Sequence, residues 1–547
     1  MSDRGSTAFI RMLLDEAGPA KIQLLAFTAL AGIGTAIIIV IVNSVADRRG
    51  TIDIDYPLLL TFIICCFVVL SAQARALTLT TRASEATVQR LRTRVVELIR
   101  HADLDAFEAL GPASIYAKIA GDTATLSEAG TPLVYGATSG LALILATLYI
   151  ATLSTLAFFV IATLFGATTY LYHISQRNNT GHLLYAREAE SRFFETFNHL
   201  LGGFKEVKMS AARGADLVSN YLAVQSLETE LRKIAAVTRM NDGLTIAHTS
   251  FYVMLAAVVF ALPQYLDGTE TAMKLTYTVI FMLATVDGIM KAFPVLTKAN
   301  VAIQDLERTE AQLAAARRAN EGPVTLASPA MRRLELSGVV YTYTGPDGRP
   351  SFTVGPCDLV LEAGETVFIV GGNGSGKSTL LRVLAWLYEP RAGAILWDGR
   401  PVDRSNVVDY RNLFATVFSD FHLFDRLYGL ANVNPAEAQA LLETMGLAEK
   451  TTFWGGAFTN LDLSTGQRKR LAFVAALLED RPVYVLDELA ADQDSEFRHR
   501  FYEELLPSMK ARGKTLVVVS HDERYFHVAD RVFVMDEGRF VEGRRMR

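Results

Sequence analysis

Two kinds of apolar pattern divide this chain. In the N-terminal half, long apolar runs recur at about 22–45, 56–77, 131–153, 155–174, 244–266 and 273–296. In the C-terminal part, apolar stretches are short and close on glycine or a carboxylate. About 20 apolar residues cross the ~30 Å hydrocarbon core of a bilayer as a helix, so the first pattern predicts six membrane spans. The run at 22–45 is too long for a signal peptide and lacks a small-residue cleavage site, which makes it a membrane anchor. Ahead of it, Ser6 to Glu16 mixes apolar positions (Phe9, Ile10, Met12, Leu13, Leu14) with charged ones, as a short amphipathic helix on the membrane surface would. Spans three and four meet at Ser154 almost without a loop, which demands a tight turn.

The segments between spans are short except for two, about 78–130 and 175–243, which have helical periodicity and many basic residues. The first carries Arg82, Arg90, Arg92, Arg94 and Arg100. The second carries Arg177, Arg187, Arg192, Lys205, Lys208, Arg213, Arg232 and Lys233. The positive-inside rule puts both in the cytoplasm together with both termini, Arg48 and Arg49 being outnumbered. A charged helical stretch, Gln304 to Glu321, follows the last span and ends at Gly322-Pro323. The expected division is a six-span membrane domain at 1–321, a linker at 322–333 and a soluble domain at 334–547.

Composition agrees with a membrane protein: half of the residues are hydrophobic, and the mean hydropathy of +0.24 is high for a soluble chain. The net charge of −5 is spread along the chain, with no basic patch for nucleic acid. Cys65, Cys66 and Cys357 are too few for a disulfide framework and read as packing residues. No metal-ligand spacing of His and Cys is present.

The C-terminal domain carries the chemistry. The apolar strand Thr366 to Val370 leads into Gly371-Gly372-Asn373-Gly374-Ser375-Gly376-Lys377-Ser378-Thr379 and then into a helix. Strand, glycine loop and helix in this order suit G-x-x-x-x-G-K-[ST], whose backbone N–H groups curl around phosphate. Lys377 would reach the β- and γ-phosphates of ATP, and Ser378 would offer its hydroxyl to Mg²⁺. Val483 to Glu488 reads as a strand ending in two carboxylates, Asp487 for Mg²⁺ and Glu488 as general base toward the attacking water. Leu463-Ser464-Thr465-Gly466-Gln467 opens a helix and makes a second anion site, unless Ser464 is a helix cap and nothing more. Two such sites on separate faces would be reconciled by a head-to-tail dimer in which Ser464 meets the partner's nucleotide. His521 ends the strand Val517 to Ser520, where ligands sit in open α/β sheets, and is read as a contact of the γ-phosphate. Tyr343 would stack on adenine, with Tyr341 as its competitor.

With these motifs in order, residues 334–547 resemble an ABC-transporter nucleotide-binding domain. The six spans with two long cytoplasmic segments resemble the membrane half of an ABC exporter. The resemblance implies an all-α six-helix transmembrane domain followed by an α/β P-loop NTPase domain. The variants Phe418 to Phe424, Leu463 to Arg470, Ala490 to Asp494 and Gly203 to Lys208 are similar to the bacterial cyclic-peptide and siderophore-precursor exporter branch, which includes exporters of syringomycin, the pyoverdine precursor and lasso-peptide microcin. Two features depart from the wider pattern. Ser419 stands where most ABC domains have a glutamine that touches Mg²⁺, a role left to Ser419, Asp420 or a water. The acidic coupling loop is not recognisable in Trp454-Gly455-Gly456-Ala457-Phe458, and the segment after Ser419 implies a compact helical subdomain.

The resemblance implies a homodimer in the bacterial cytoplasmic membrane, in contact with lipid, that hydrolyses ATP to export a peptide-like cargo. Segments near 106–126 and 192–213 would carry domain closure to the spans. A lipid or glycolipid flippase is an alternative with the same architecture. An ATP-gated channel or sensor would tolerate a broken Glu488 or His521, and both are intact. Within span six, Asp287 and Lys291 are spaced to pair on one helix face, either as a structural ion pair or as a lining of the substrate path.

Overall fold

The structure, a computed structural model, describes residues 8–46, 54–176, 179–266, 269–316, 330–345, 349–430 and 433–545. Arg48, Arg49, Arg177 and the expected linker at Gly322-Pro323 lie outside the described residues. The N-terminal half is helical throughout: α1 (Ala8–Glu16), α2 (Ala20–Ala46), α3 (Tyr56–Arg100), α4 (Leu104–Leu110), α5 (Pro112–Leu153), α6 (Thr155–Gln176), α7 (Asn179–Gly202), α8 (Phe204–Met209), α9 (Ala211–Asp216), α10 (Ala223–Ala256) and α11 (Thr269–Ala316). Two compact units divide the chain, Met1–Val95 with Ala113–Glu310, and Val96–Pro112 with Ala311–Arg547.

In the first unit, six helices are long and apolar enough to cross a membrane. Hydropathy marks the apolar part of each, but the helices run on: α3 and α11 continue well beyond the runs at 56–77 and 273–296 as charged, amphipathic helix. Leu60, Ile63, Ile64, Phe67 and Leu70 stay more than half exposed along α3, as residues facing hydrocarbon would. Small residues bring helices close: Gly136 of α5 abuts Ala292 of α11, and Gly288 abuts Ser139. Asn43 of α2 adds an interhelical hydrogen bond, its amide donating to Thr278 Oγ1 at 2.8 Å. In the extension beyond the apolar runs, Arg187 bridges Asp305 at 3.0 Å and Asp122 at 3.3 Å, tying α7 to α11 and α5.

The short helix α1 differs from expectation. Phe9 and Leu13 are fully buried among Ala76, Ala83, Leu91, Ala302 and Leu306 of α3 and α11. The Phe9 N–H donates to Asn300 Oδ1 at 3.0 Å. Its apolar side therefore packs on protein rather than lying in the headgroup layer. An amphipathic pattern asks only for an apolar neighbour and does not say which.

The second unit is built on two sheets. The strands are β1 (Arg333–Thr344), β2 (Pro350–Glu362), β3 (Thr366–Val370), β4 (Ala392–Trp397), β5 (Arg400–Pro401), β6 (Phe414–Val417), β7 (Phe453–Trp454), β8 (Ala457–Phe458), β9 (Val483–Asp487), β10 (Thr515–Val519), β11 (Arg531–Asp536) and β12 (Arg539–Arg545). An antiparallel sheet runs β2-β1-β4-β5, and a second sheet runs β12-β11-β3-β10-β9-β6. In the latter, β11, β3, β10, β9 and β6 are parallel, and β12 pairs antiparallel at the edge. Every residue of β3, β9 and β10 is buried, which explains their unbroken apolar sequences. Helices α12 (Lys377–Leu384), α13 (Val407–Arg411), α14 (Pro435–Thr444), α15 (Thr465–Glu479), α16 (Ser495–Arg500) and α17 (Leu506–Ala511) complete the unit. Only α14 and the β7–β8 hairpin stand between Val433 and Leu461, so this part is compact. Gly455 and Gly456 both have positive φ and form the two-residue hairpin turn, leaving Trp454 81% exposed.

Helix α4 packs within this second unit. Leu104 sits against the core around β1 and β3. The Tyr388 hydroxyl donates to Glu108 Oε2 at 2.7 Å, and Arg382 donates to Tyr388 at 2.9 Å. Arg382 also donates to Asp420 Oδ2 at 2.5 Å. Burial and the Glu108 hydrogen bond push the Tyr388 phenol above its ordinary range.

Candidate nucleotide site

The site grows from the carboxyl ends of β3, β9 and β10, the edge where open parallel sheets take ligands. Beyond β3 the chain must turn sharply before α12 begins. Gly371, with φ +155°, passes so close to the Met535 carbonyl that a Cβ would collide with it. Gly376 caps α12 at φ +100°, a conformation that side chains disfavour. Gly372, Asn373 and Gly374 are exposed on the outer curve. Lys377 is 6% exposed and folds over the loop, Nζ donating to the carbonyls of Gly371 at 2.8 Å and Gly372 at 2.9 Å. Burial pushes the Lys377 ammonium below its ordinary range, while Glu488 and Asp487 pull it upward. Both hydrogen-bond acceptors of this buried ammonium are neutral carbonyls, so an anion added at the open loop would gain from it.

Two buried polar atoms here have no partner among the described residues: Ser375 Oγ and Asp487 Oδ1. The other oxygen of Asp487 accepts from Ser419 Oγ at 3.1 Å. Oxygen donors of this kind, on Asp487, Ser419 and the Ser378 hydroxyl at the start of α12, fit a hard divalent cation, and the Ser375 hydroxyl fits a phosphate oxygen. Asp420 is turned away to Arg382, so Ser419 is the side chain of the pair that addresses Asp487. Glu488 follows Asp487 directly, and His521 Nε2 lies 3.2 Å from Glu488 Oε1.

The two tyrosines on β1 separate cleanly. Tyr341 is 3% exposed and stacks on Tyr388 with ring centroids 4.7 Å apart. Tyr343 is half-buried, edge-on to both rings, and its hydroxyl lies 3.2 Å from Thr379 Oγ1 in the first turn of α12. Of the two, only Tyr343 retains a face for an adenine.

Ser464 and Thr465 are exposed at the start of α15. Ser464 forms a capping box with Gln467: the Gln467 N–H donates to Ser464 Oγ at 3.4 Å, and the Ser464 N–H donates to Gln467 Oε1 at 3.1 Å. The Gly466 carbonyl accepts from Gln493 at 2.9 Å. Among the described residues, no side-chain hydrogen bond joins 464–467 to the loop at Gly371–Thr379. The cap is present, and the Ser464 residue that makes it is exposed.

Asp287 and Lys291 pair at 2.6 Å along α11, both side chains more than a third exposed. The neighbouring stripe of that helix, with Met290 and Phe293, lines a cavity of about 230 Å³ with Phe165, Tyr172, Phe251 and Met254. Thr168 and Thr169 also border it, but their hydroxyls bond to the carbonyls of Leu164 and Phe165, so the lining is essentially apolar.

Sequence reasoning did not single out Arg382, Glu108, Lys469 and Gln493. Lys469 and Gln493 fall inside the motifs Leu463 to Arg470 and Ala490 to Asp494, but nothing in those motifs tells that the Lys469 ammonium reaches the Glu488 carbonyl or that Gln493 reaches Gly466.

Residues 354–491 match the family described as ABC transporter. The chain is 35% identical over 371 residues to the ATP-binding protein SyrD of Pseudomonas syringae pv. syringae, covering 65% of each protein. It is 28% identical over 372 residues to the ATP-dependent lipid A-core flippase of Xanthomonas euvesicatoria pv. vesicatoria strain 85-10, covering 65% of this chain and 62% of that one. The chain thus spans a little under two thirds of the length of these curated relatives. The structure of a bacterial Atm1-family ABC exporter with ATP bound superposes with a TM-score of 0.79 at 17% identity, covering 96% of both chains.

Proposed function

For this chain, with its ABC transporter domain and its ABC-exporter fold, we propose an ATP-driven exporter that works as a homodimer in the bacterial cytoplasmic membrane, both termini being cytoplasmic. The carrying observation is the gathering of Lys377, Asp487, Glu488 and His521 at the ends of three buried parallel strands, in a chain with six helices able to cross a membrane. ATP sits on the loop Gly371–Thr379 with its adenine on Tyr343, and Lys377 leaves the loop carbonyls for the phosphates. Ser378, Asp487 and Ser419 would hold Mg²⁺, which would supply charge neutralisation at the phosphates. Glu488 draws a proton from the attacking water as general base, a role that contributes about 10²–10⁴-fold in rate. His521 holds Glu488 and the γ-phosphate in register. Ser464, Thr465, Gly466 and Gln467 of the partner close the site, so ATP draws two copies together and hydrolysis lets them part. Segments near 106–126 and 192–213 carry that closure to the spans, a reading supported for the first of them by the seat of α4 against Tyr388 and Arg382.

The cargo we propose is a peptide-like secondary metabolite: a cyclic peptide, a lasso peptide or a siderophore precursor. The motif variants and the likeness to SyrD support it. The apolar cavity beside Asp287 and Lys291 suits an amphipathic molecule that presents both an apolar group and a charge. A second reading, a lipid flippase, is supported by the likeness to the lipid A-core flippase. ATPase assays in nanodiscs with cyclic peptides, siderophore precursors and lipid A species separate the two. Stimulation by a peptide and not by lipid supports the first reading, and stimulation by lipid alone overturns it.

A further inference from the structure

A second set of buried polar contacts fastens the start of α15 to the residues that follow β9. Lys469 lies just over one turn beyond the Ser464 cap, with its side chain 7% exposed. Its ammonium donates to the backbone carbonyl of Glu488 at 3.0 Å and pairs with Asp492 Oδ2 at 2.7 Å. Gln493, 6% exposed, donates to the Gly466 carbonyl at 2.9 Å and accepts from Arg470 Nε at 2.7 Å. The segments approach so closely that a Cβ on Gly466 would lie 2.6 Å from the Asp492 carbonyl oxygen.

Glu488 itself has φ +54°, the left-handed region that residues with side chains seldom enter. Such a conformation persists only where its surroundings hold it, and it clusters at functional sites. On one side the Glu488 N–H donates to Val519 at 3.2 Å. On the other, the Glu488 carbonyl accepts from the Ala491 N–H at 3.2 Å and from Lys469. Burying a lysine ammonium is costly unless it is paired, and both partners of Lys469 come from the residues after β9.

We propose that Lys469 is a positioning residue for the hydrolytic carboxylate: its ammonium holds the Glu488 backbone in the conformation that aims that side chain, and makes the conformation depend on where α15 stands. The inference rests on the reading of Glu488 as general base and of Ser464 as a donor to the partner's nucleotide. Ser464 and Lys469 share one helix end. Nucleotide held by the partner therefore sets, through Lys469, the Glu488 that serves the protomer's own nucleotide, and the two sites become cooperative.

The test uses the full-length protein in nanodiscs and measures kcat, KM for ATP, the Hill coefficient and the melting temperature. Lys469→Met keeps the aliphatic stem and removes the ammonium; Lys469→Arg restores a cation; Asp492→Asn alters only a half-exposed partner. Loss of an interaction that acts on the chemical step lowers kcat with KM unchanged, so Lys469→Met should lose about 10-fold or more in kcat at a KM within about 2-fold of wild type. Its Hill coefficient should fall to about 1, as expected for uncoupled sites. Lys469→Arg should recover kcat to within about 3-fold, and Asp492→Asn should lose about 3-fold at unchanged KM. A loss of melting temperature alone, or unchanged kcat in an active background, overturns the role of Lys469 and leaves the nucleotide reading standing. A wild-type protein without ATPase activity overturns both. Should Lys469→Met fail to fold, Asp492→Asn decides by the same criteria.

Discussion

Glu488 and His521 face each other at 3.2 Å beside an Asp487 whose second oxygen has no protein partner among the described residues. On the proposed function, that arrangement would give the adjacent carboxylates separable tasks. In the proposed mechanism Asp487, 1% exposed, binds the metal and Glu488, on the open side, acts on water. Glu488→Gln should leave ATP binding intact and lower kcat by about 10²–10⁴-fold, the range of a general base, with ATP-bound dimer accumulating on a sizing column. A variant that turns over at the wild-type rate would remove Glu488 from the chemistry. The tyrosines give a second contrast. Tyr341→Ala removes a buried ring stacked on Tyr388 and should cost about 3 kcal/mol of stability, read as a lowered melting temperature. Tyr343→Ala should instead raise KM for ATP by about 10-fold with little change in melting, since stacking on a base contributes ~1–3 kcal/mol. Equal melting losses in both variants would contradict the division.

At the scale of elements, local patterns were legible and contacts across the fold were not. The glycine loop was readable because Gly371 and Gly376 answer to a turn only a few residues long. The strands at Thr366, Val483 and Thr515 were readable because burial on both faces leaves unbroken apolar runs. Hydropathy found the membrane-crossing part of α3 but not its full length to Arg100, because lipid exposure selects apolar residues and helix continuation does not. The packing of α1 was misread because Phe9 and Leu13 would suit lipid or protein equally. The link from α4 to Tyr388 joins residues 280 positions apart, and no local pattern encodes it. That link is testable: Tyr388→Phe removes two part-buried hydrogen bonds, to Glu108 and from Arg382, each worth about 0.5–1.5 kcal/mol. On the proposed function, basal ATPase activity should persist while stimulation by cargo falls, because the hydroxyl's partners are Glu108 of α4 and Arg382 rather than the nucleotide. Full stimulation in Tyr388→Phe would show that α4 communicates by another route.

The whole molecule has a helical unit able to cross a membrane and a unit that gathers Lys377, Asp487, Glu488 and His521 at its strand ends while Ser464 is exposed. A solitary copy has loop, base and histidine on one face and an exposed helix end with no ligand of its own. The proposed homodimer would resolve this, each copy contributing Ser464 to the other's nucleotide. The wide likeness in fold to an ABC exporter, over nearly the full chain, sits beside 17% identity, so what is shared is the architecture. All of it depends on ATP being held and cleaved at Gly371–Thr379. The most direct measurement is the ATPase rate of the purified wild-type protein in nanodiscs beside that of Lys377→Ala. Wild type should turn over at about 1–10 s⁻¹, an ordinary enzymatic rate, and Lys377→Ala should fall by about 100-fold or more. ATPase activity that survives Lys377→Ala unchanged would contradict the account.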